Sequence, residues 1–184
     1  MPEISDDPIS DILRLIHLKG CVYFQSDFSS PWGMEMGAGP FAQYHAVLRG
    51  QCWLTLEGER HLLEAGDVVV LPQGDAHVLV DSPATATKPG MEVLSAIQSG
   101  QKPFSDGETS ARLLCGHFEF DRTMNHPFVR DLPRLIHVKS TSNGEPNWLE
   151  AITPMLAGGT GTEQPGTNTI VERLAEVLLI QVLR

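Results

Sequence analysis

A chain of 184 residues, 41% of them hydrophobic, can fill one core, or one domain with a helical appendage. Its formal charge of −10 repels phosphate backbones and excludes nucleic-acid binding by this chain's own surface. No apolar run approaches the ~20 residues of a membrane span, the acidic start MPEISDDPIS lacks a signal peptide's layout, and Cys21, Cys52 and Cys115 form no even framework, so a reducing, cytoplasmic setting is expected.

Asp7-Pro8 opens a helix with a capping carboxylate and a proline at the first helical position. Ile9, Ile12, Leu13 and Ile16 follow on one face, and Gly20 stops it. From Cys21 to Asp81 short β-rich runs, CVYFQSDF, AQYHAVL, CWLTLEG, VVVLP and HVLVD, are broken by Gly, Pro and Asp. This is the pattern of a sandwich or barrel. Two successive hairpins are expected, turning near Arg49-Gly50 and Glu57-Gly58. Residues 82–110 read as a long connection, a lid or a disordered segment, with a helical turn at MEVLSAI. ARLLCGHFEF is the last strand, and beyond it the chain turns helical. Asn147 with Glu150 opens one helix, which Pro154 kinks or shortens, and Thr169-x-x-Glu172 is a capping box for the final one. The division is residues 1–122, a barrel with its N-terminal helix, and 123–184, a helical appendage.

The stretch AGDVVVLPQGDAHVLVD carries the most chemistry. Gly66, five residues, Pro72, one residue, Gly74, two residues, His77, three residues and Asp81 describe a strand, a Pro-ended tight reversal, and a histidine opening the next strand. This spacing resembles the second signature of the cupin superfamily, which usually ends in Asn where Asp81 stands. The resemblance implies a mainly β fold, a double-stranded β-helix or jelly-roll barrel, and His77 as a metal ligand in metal-binding members. The first signature departs from the family pattern. With Gly50 as its turn glycine, Gln43 stands where a glutamate is usual, and the His-x-His region falls in MEMGAGP, which has no histidine. The usual three-histidine, one-carboxylate site is therefore absent, which speaks against a dioxygenase.

His45 lies two residues after Gln43 and shares its face. With His77 and Cys115 it offers nitrogen and sulfur donors of the kind zinc favours, and His117 shares the face of Cys115. The alternative is a pair of hydrogen-bonded histidines and a small apolar core cysteine. Cys52 is read as structural. Gln43, His45, Trp53 and His77 are the candidate effector-pocket residues. Trp32, Tyr44 and Phe24 could join them or be ordinary core.

Segments in order, from DPISDILRLIHLKG through SSPWGMEM, QYHAVLRGQCWLTLEG, ARLLCGHFEFD and HPFVRDLPRLIHV to WLEAI, are similar to the N-terminal cupin domain of AraC-family transcriptional regulators over most of residues 7–184. The resemblance implies an effector-sensing or dimerisation domain, not an enzyme, with DNA bound only through a C-terminal helix-turn-helix part missing from this chain. Two alternatives remain: a stand-alone metal-dependent small-molecule enzyme, and a metal-sensing cupin, with zinc as the cofactor to expect. A homodimer is expected through the helix from about Ile170 to Arg184. There Ile170, Leu174, Val177 and Leu178 form one apolar stripe, and further apolar residues leave few polar sides.

Overall fold

The computed structural model describes residue 11 and residues 18–120, 130–140, 151–152 and 165–183. The expected helices at 9–16 and from Asn147 lie outside these residues except for Asp11 and 151–152, which are helical. The acidic patch at the N-terminus also lies outside.

Among the described residues nine strands build two facing sheets. In chain order they are β1 (Lys19–Ser29), β2 (Gly33–Met36), β3 (Ala42–Leu56), β4 (Glu59–Glu64), β5 (Val68–Leu71), β6 (His77–Val80), β7 (Lys88–Pro89), β8 (Thr109–Glu119) and β9 (Ile136–Val138). The first sheet runs β1-β8-β3-β5-β9, all antiparallel. The second runs β4-β3-β6-β2-β7, antiparallel except for the parallel pair β2 and β7. β3 belongs to both: residues 42–50 pair with β8 and β5, and residues 51–56 with β4 and β6. Arg49-Gly50 is therefore not a hairpin turn. The strand bends there and crosses between sheets, a corner of the kind that joins packed sheets, with Gly50 at φ +76. The hairpin at Glu57-Gly58 forms as expected, joining β3 to β4.

The register slips by one residue between Val47 and Arg49. Such a bulge inverts the alternation of side chains. Before it Val47 enters the core between the sheets; after it Cys52, Leu54 and Leu56 do. That core also holds Phe24, Phe28, Trp32, Met34, Leu79 and Leu113.

Two expectations are corrected beyond the central strands. The connection 82–110 contains a helix of nine residues, α1 (Gly90–Gln98), whose Val93 is fully buried. Residues 123–184 are not helical throughout, because β9 lies within them and extends the first sheet. Asp67 fixes β9: His137 Nε2 donates to its carboxylate at 2.9 Å, and the Ser140 and Glu64 backbone N–H groups donate at 2.8 and 3.1 Å.

The final helix, α2 (Thr167–Leu183), begins two residues before the expected cap at Thr169. It lies on the outer face of the first sheet. Val171, Ala175, Leu178, Leu179 and Val182 form a second core there with Tyr44, Val68, Val70, Leu114 and Phe118. The first sheet is thus buried on both faces. Among the described residues no helix is long and apolar enough to cross a membrane.

Candidate functional site

Strand alternation turns Gln43 and His45 inward from β3, and Cys115 faces His45 across β8 as its register partner. His77, at the start of β6, enters from the opposite sheet. The structure brings three of the expected residues together. His45 Nε2 lies 2.7 Å from His77 Nε2, His45 Nδ1 lies 2.9 Å from Cys115 Sγ, and His77 Nδ1 lies 2.8 Å from the Asp75 carbonyl oxygen. All three side chains are buried.

The proton positions follow from one end. A carbonyl only accepts, so His77 Nδ1 must carry hydrogen. In a neutral ring His77 Nε2 then accepts, His45 Nε2 donates to it, and His45 Nδ1 accepts from the Cys115 thiol. Every nitrogen is satisfied with all three groups neutral. The electrostatics agree. Burial, and secondarily the charge of His77, holds His45 well below its ordinary pKa. Burial lowers His77 despite the opposing Asp75 carbonyl and carboxylate. Burial, with Cys52 nearby, pushes the Cys115 thiol well up.

This chain of hydrogen bonds does not fit a single ion. Cys115 and His77 approach opposite nitrogens of the His45 ring, so their donor atoms do not converge. Two nitrogens on one tetrahedral zinc also stand about 3.3 Å apart for bonds of ~2.0 Å, wider than the 2.7 Å between His45 and His77. The position at which cupins usually hold a metal therefore lacks a convergent donor set among the described residues.

A cavity of about 540 Å³ opens at one end of the barrel. It is lined by Tyr23 and Phe24 of β1, Glu35 and Met36 of β2, the loop 37–41, Gln43, and Gly90, Met91 and Leu94 of α1. The loop is held by the Pro-x-Gly turn at Pro72–Gly74. Gly39 N donates to the Gly74 carbonyl at 2.9 Å. Gly74 has φ +70, and a side chain there would sit 2.3 Å from the Gly39 carbonyl oxygen, so glycine is required. Gln43 donates its Nε2 to the Gly37 carbonyl at 3.3 Å, while its Oε1 is buried with no partner among the described residues.

Of the expected pocket residues, Gln43 lines this cavity, and His45 and His77 stand outside its lining. Trp53 is a correction. It follows the bulge in β3, so it faces the outside of the second sheet, half-buried, opposite Leu62 and Val80. Phe24 lines the cavity, Trp32 is core between the sheets, and Tyr44 packs outward under α2. Cys52 is core, its thiol pushed up to about 12 by burial and the nearby Asp67.

A second cluster was not anticipated. Cys21, His117 and Glu119 place one donor atom each within 4.8 Å of one another. Finding it needed the pairing of β1 with β8, which joins residues almost one hundred positions apart. His117 Nε2 donates to Glu119 Oε1 at 3.0 Å and holds that carboxyl below its usual range. Burial, and then the charge of Glu119, raises the Cys21 thiol.

The cupin family model matches residues 7–184. Over 97% of its length the chain is 28% identical to the HTH-type transcriptional regulator AlkR of Acinetobacter baylyi, covering 60% of that protein. It is 23% identical, over the same share, to an uncharacterised HTH-type transcriptional regulator of Haemophilus influenzae, covering 58% of it. The chain thus spans less than two thirds of these relatives. Among solved structures, apo ToxT of Vibrio cholerae shares 9% identity at a TM-score of 0.48, over 89% of this chain and 55% of that one. With two facing sheets of the expected strands and a family match from residue 7 to residue 184, the chain belongs to the cupin family, and the relatives it matches are HTH-type transcriptional regulators.

Proposed function

We propose that this chain is the effector-sensing and dimerisation domain of an AraC-type transcriptional regulator, not an enzyme, acting in the cytoplasm with DNA contacts supplied by a separate helix-turn-helix part. The cavity carries this reading. Its volume suits a small molecule and its lining is mostly apolar. Gln43 adds one polar anchor. Its amide nitrogen is committed to the Gly37 carbonyl, and its enclosed Oε1, unpartnered among the described residues, becomes an acceptor for a ligand once the side chain turns toward the cavity. An effector with an apolar body and one hydroxyl or N–H group matches that arrangement. The buried histidines are engaged with each other, Cys115 and Asp75, so neither offers a free base to a ligand in the cavity. Glu35, at the exposed edge of the lining, accepts a hydrogen bond from Thr87 at 3.2 Å. The apolar residues Ile170 and Val177 on the outer side of α2 support a second copy as partner.

A thermal-shift screen of this chain against straight-chain alcohols, phenols and amides tests the reading. A stabilising compound is expected to lose up to about tenfold in affinity in Gln43→Leu, the worth of one hydrogen bond. Conversion of that compound to a product would instead establish an enzyme. The reading frame beyond Arg184 supplies an independent check: two helix-turn-helix units are expected there.

A further inference from the structure

We infer that Cys21, His117 and Glu119 form a zinc site at the rim of the barrel, separate from the buried His45–His77 pair. Cys21 and His117 are register partners on β1 and β8, and Glu119 follows His117 on the same face. Cross-strand partners hold their side chains side by side, so the backbone itself converges the three donors. The His117 Nε2 to Glu119 Oε1 distance is 3.0 Å, and Cys21 Sγ lies 3.9 Å from the same oxygen. Around tetrahedral zinc these two separations are about 3.3 and 3.5 Å, within a few tenths of an ångström of those found, and all three donor atoms lie within 4.8 Å of one another. The three side chains are only partly buried, which leaves an entry path and room for water as a fourth ligand.

Two orphaned atoms point the same way. His117 Nδ1 and Gln43 Oε1 are both buried without a hydrogen-bond partner among the described residues. Gln43 and His117 are themselves register partners across β3 and β8. While Nε2 carries the ring proton toward Glu119, Nδ1 is an acceptor, and the oxygen of Gln43, its neighbour across the strands, is an acceptor too. Zinc on Nε2 would fix the ring proton on Nδ1, a donor that the Gln43 side chain on the neighbouring strand could accept from after a turn of its amide. The thiol of Cys21 releases its proton to solvent, and Glu119 binds as the carboxylate. Imidazole, thiolate and carboxylate suit a borderline divalent ion. The ring of His117 also lies against Tyr23 and Phe41, at centroid distances of 4.9 and 4.8 Å, and both line the cavity. A metal on His117 would therefore stiffen the cavity wall.

The test uses the 184-residue chain purified without a histidine tag and stripped with a chelator. Zinc titration should give one equivalent bound, and cobalt(II) should give a thiolate-to-metal charge-transfer band. Cys21→Ser should abolish the band. His117→Gln and Glu119→Gln should each weaken binding by roughly 100-fold or more, beyond the 10–100-fold typical of outer-shell changes. His77→Gln should leave the affinity unchanged. In the unaltered chain, zinc should protect Cys21 from alkylation, read by mass spectrometry, a measurement that needs no variant to fold. No saturable binding at micromolar zinc, a cobalt band that survives Cys21→Ser, or alkylation of Cys21 unaffected by zinc would each overturn the proposal.

Discussion

His45 and His77 sit 2.7 Å apart in a site that water does not reach, and both are held neutral there. In the unfolded chain each returns to a pKa of about 6.5. Below that value the unfolded state takes up protons that the native state refuses, so stability is fully present above about pH 6.5 and is lost as pH falls toward the depressed native values. The slope is on the order of 1 kcal/mol per pH unit for each ring that stays neutral in the native state. Urea midpoints between pH 7.5 and 5.5 should show this decline, and the double variant His45→Gln, His77→Gln should show a shallower one. Among the described residues the carboxylates held low by hydrogen bonds, Asp27, Asp67, Glu119 and Asp131, act below this window. The shared face of Gln43 and His45 was legible by counting residues in twos. Trp53 was not, because the bulge between Val47 and Arg49 reverses the count and leaves no composition signal of its own. Cys21 looked like one of three unrelated thiols, since strand pairing over that distance cannot be read from local pattern.

Helix α2 shows what periodicity can and cannot fix. Its existence was plain from its composition. Its phase was not, because apolar residues lie on most of its sides. The stripe Ile170, Leu174, Val177 and Leu178 was expected to be one face, yet Ile170 is 58% exposed and Val177 39%, while Val171, Ala175, Leu178, Leu179 and Val182 are buried. The sheet chooses the phase. Gly20 of β1 lets Ala175 approach so closely that a Cβ at Gly20 would lie 2.5 Å from the Ala175 Cβ. Leu178 and Leu179 are therefore core positions. Leu178→Ala should cost about 2–5 kcal/mol in chemical denaturation. Ile170→Glu with Val177→Glu should leave that stability nearly unchanged and shift a dimer toward monomer in sedimentation. If the unaltered chain sediments as a monomer at high micromolar concentration, the dimer is wrong. The three residues of β9 were missed for a different reason: an element so short has no period to detect.

At the scale of the molecule, the excess of acid over base sets the long-range field. Mobility-shift titration of this chain with its own promoter should show no specific, salt-sensitive complex at a formal charge of −10. The fold class was readable because glycine and proline punctuate the strands; the cavity was not, since it arises from how the loop 37–41 and α1 close one end of the barrel. The burial of the first sheet on both faces bears on how the protein can be cut. An expression product ending near residue 122 keeps the strands of the central barrel but strips α2 from Tyr44, Val68, Val70, Leu114 and Phe118. It also removes β9, leaving the backbone groups of β5 as a bare sheet edge. Such a product should scatter light and pellet where the 184-residue chain stays dispersed. The smallest piece that can be handled in solution includes the last helix, and insertions or fusions meant to spare the barrel belong after Leu183 rather than after β8.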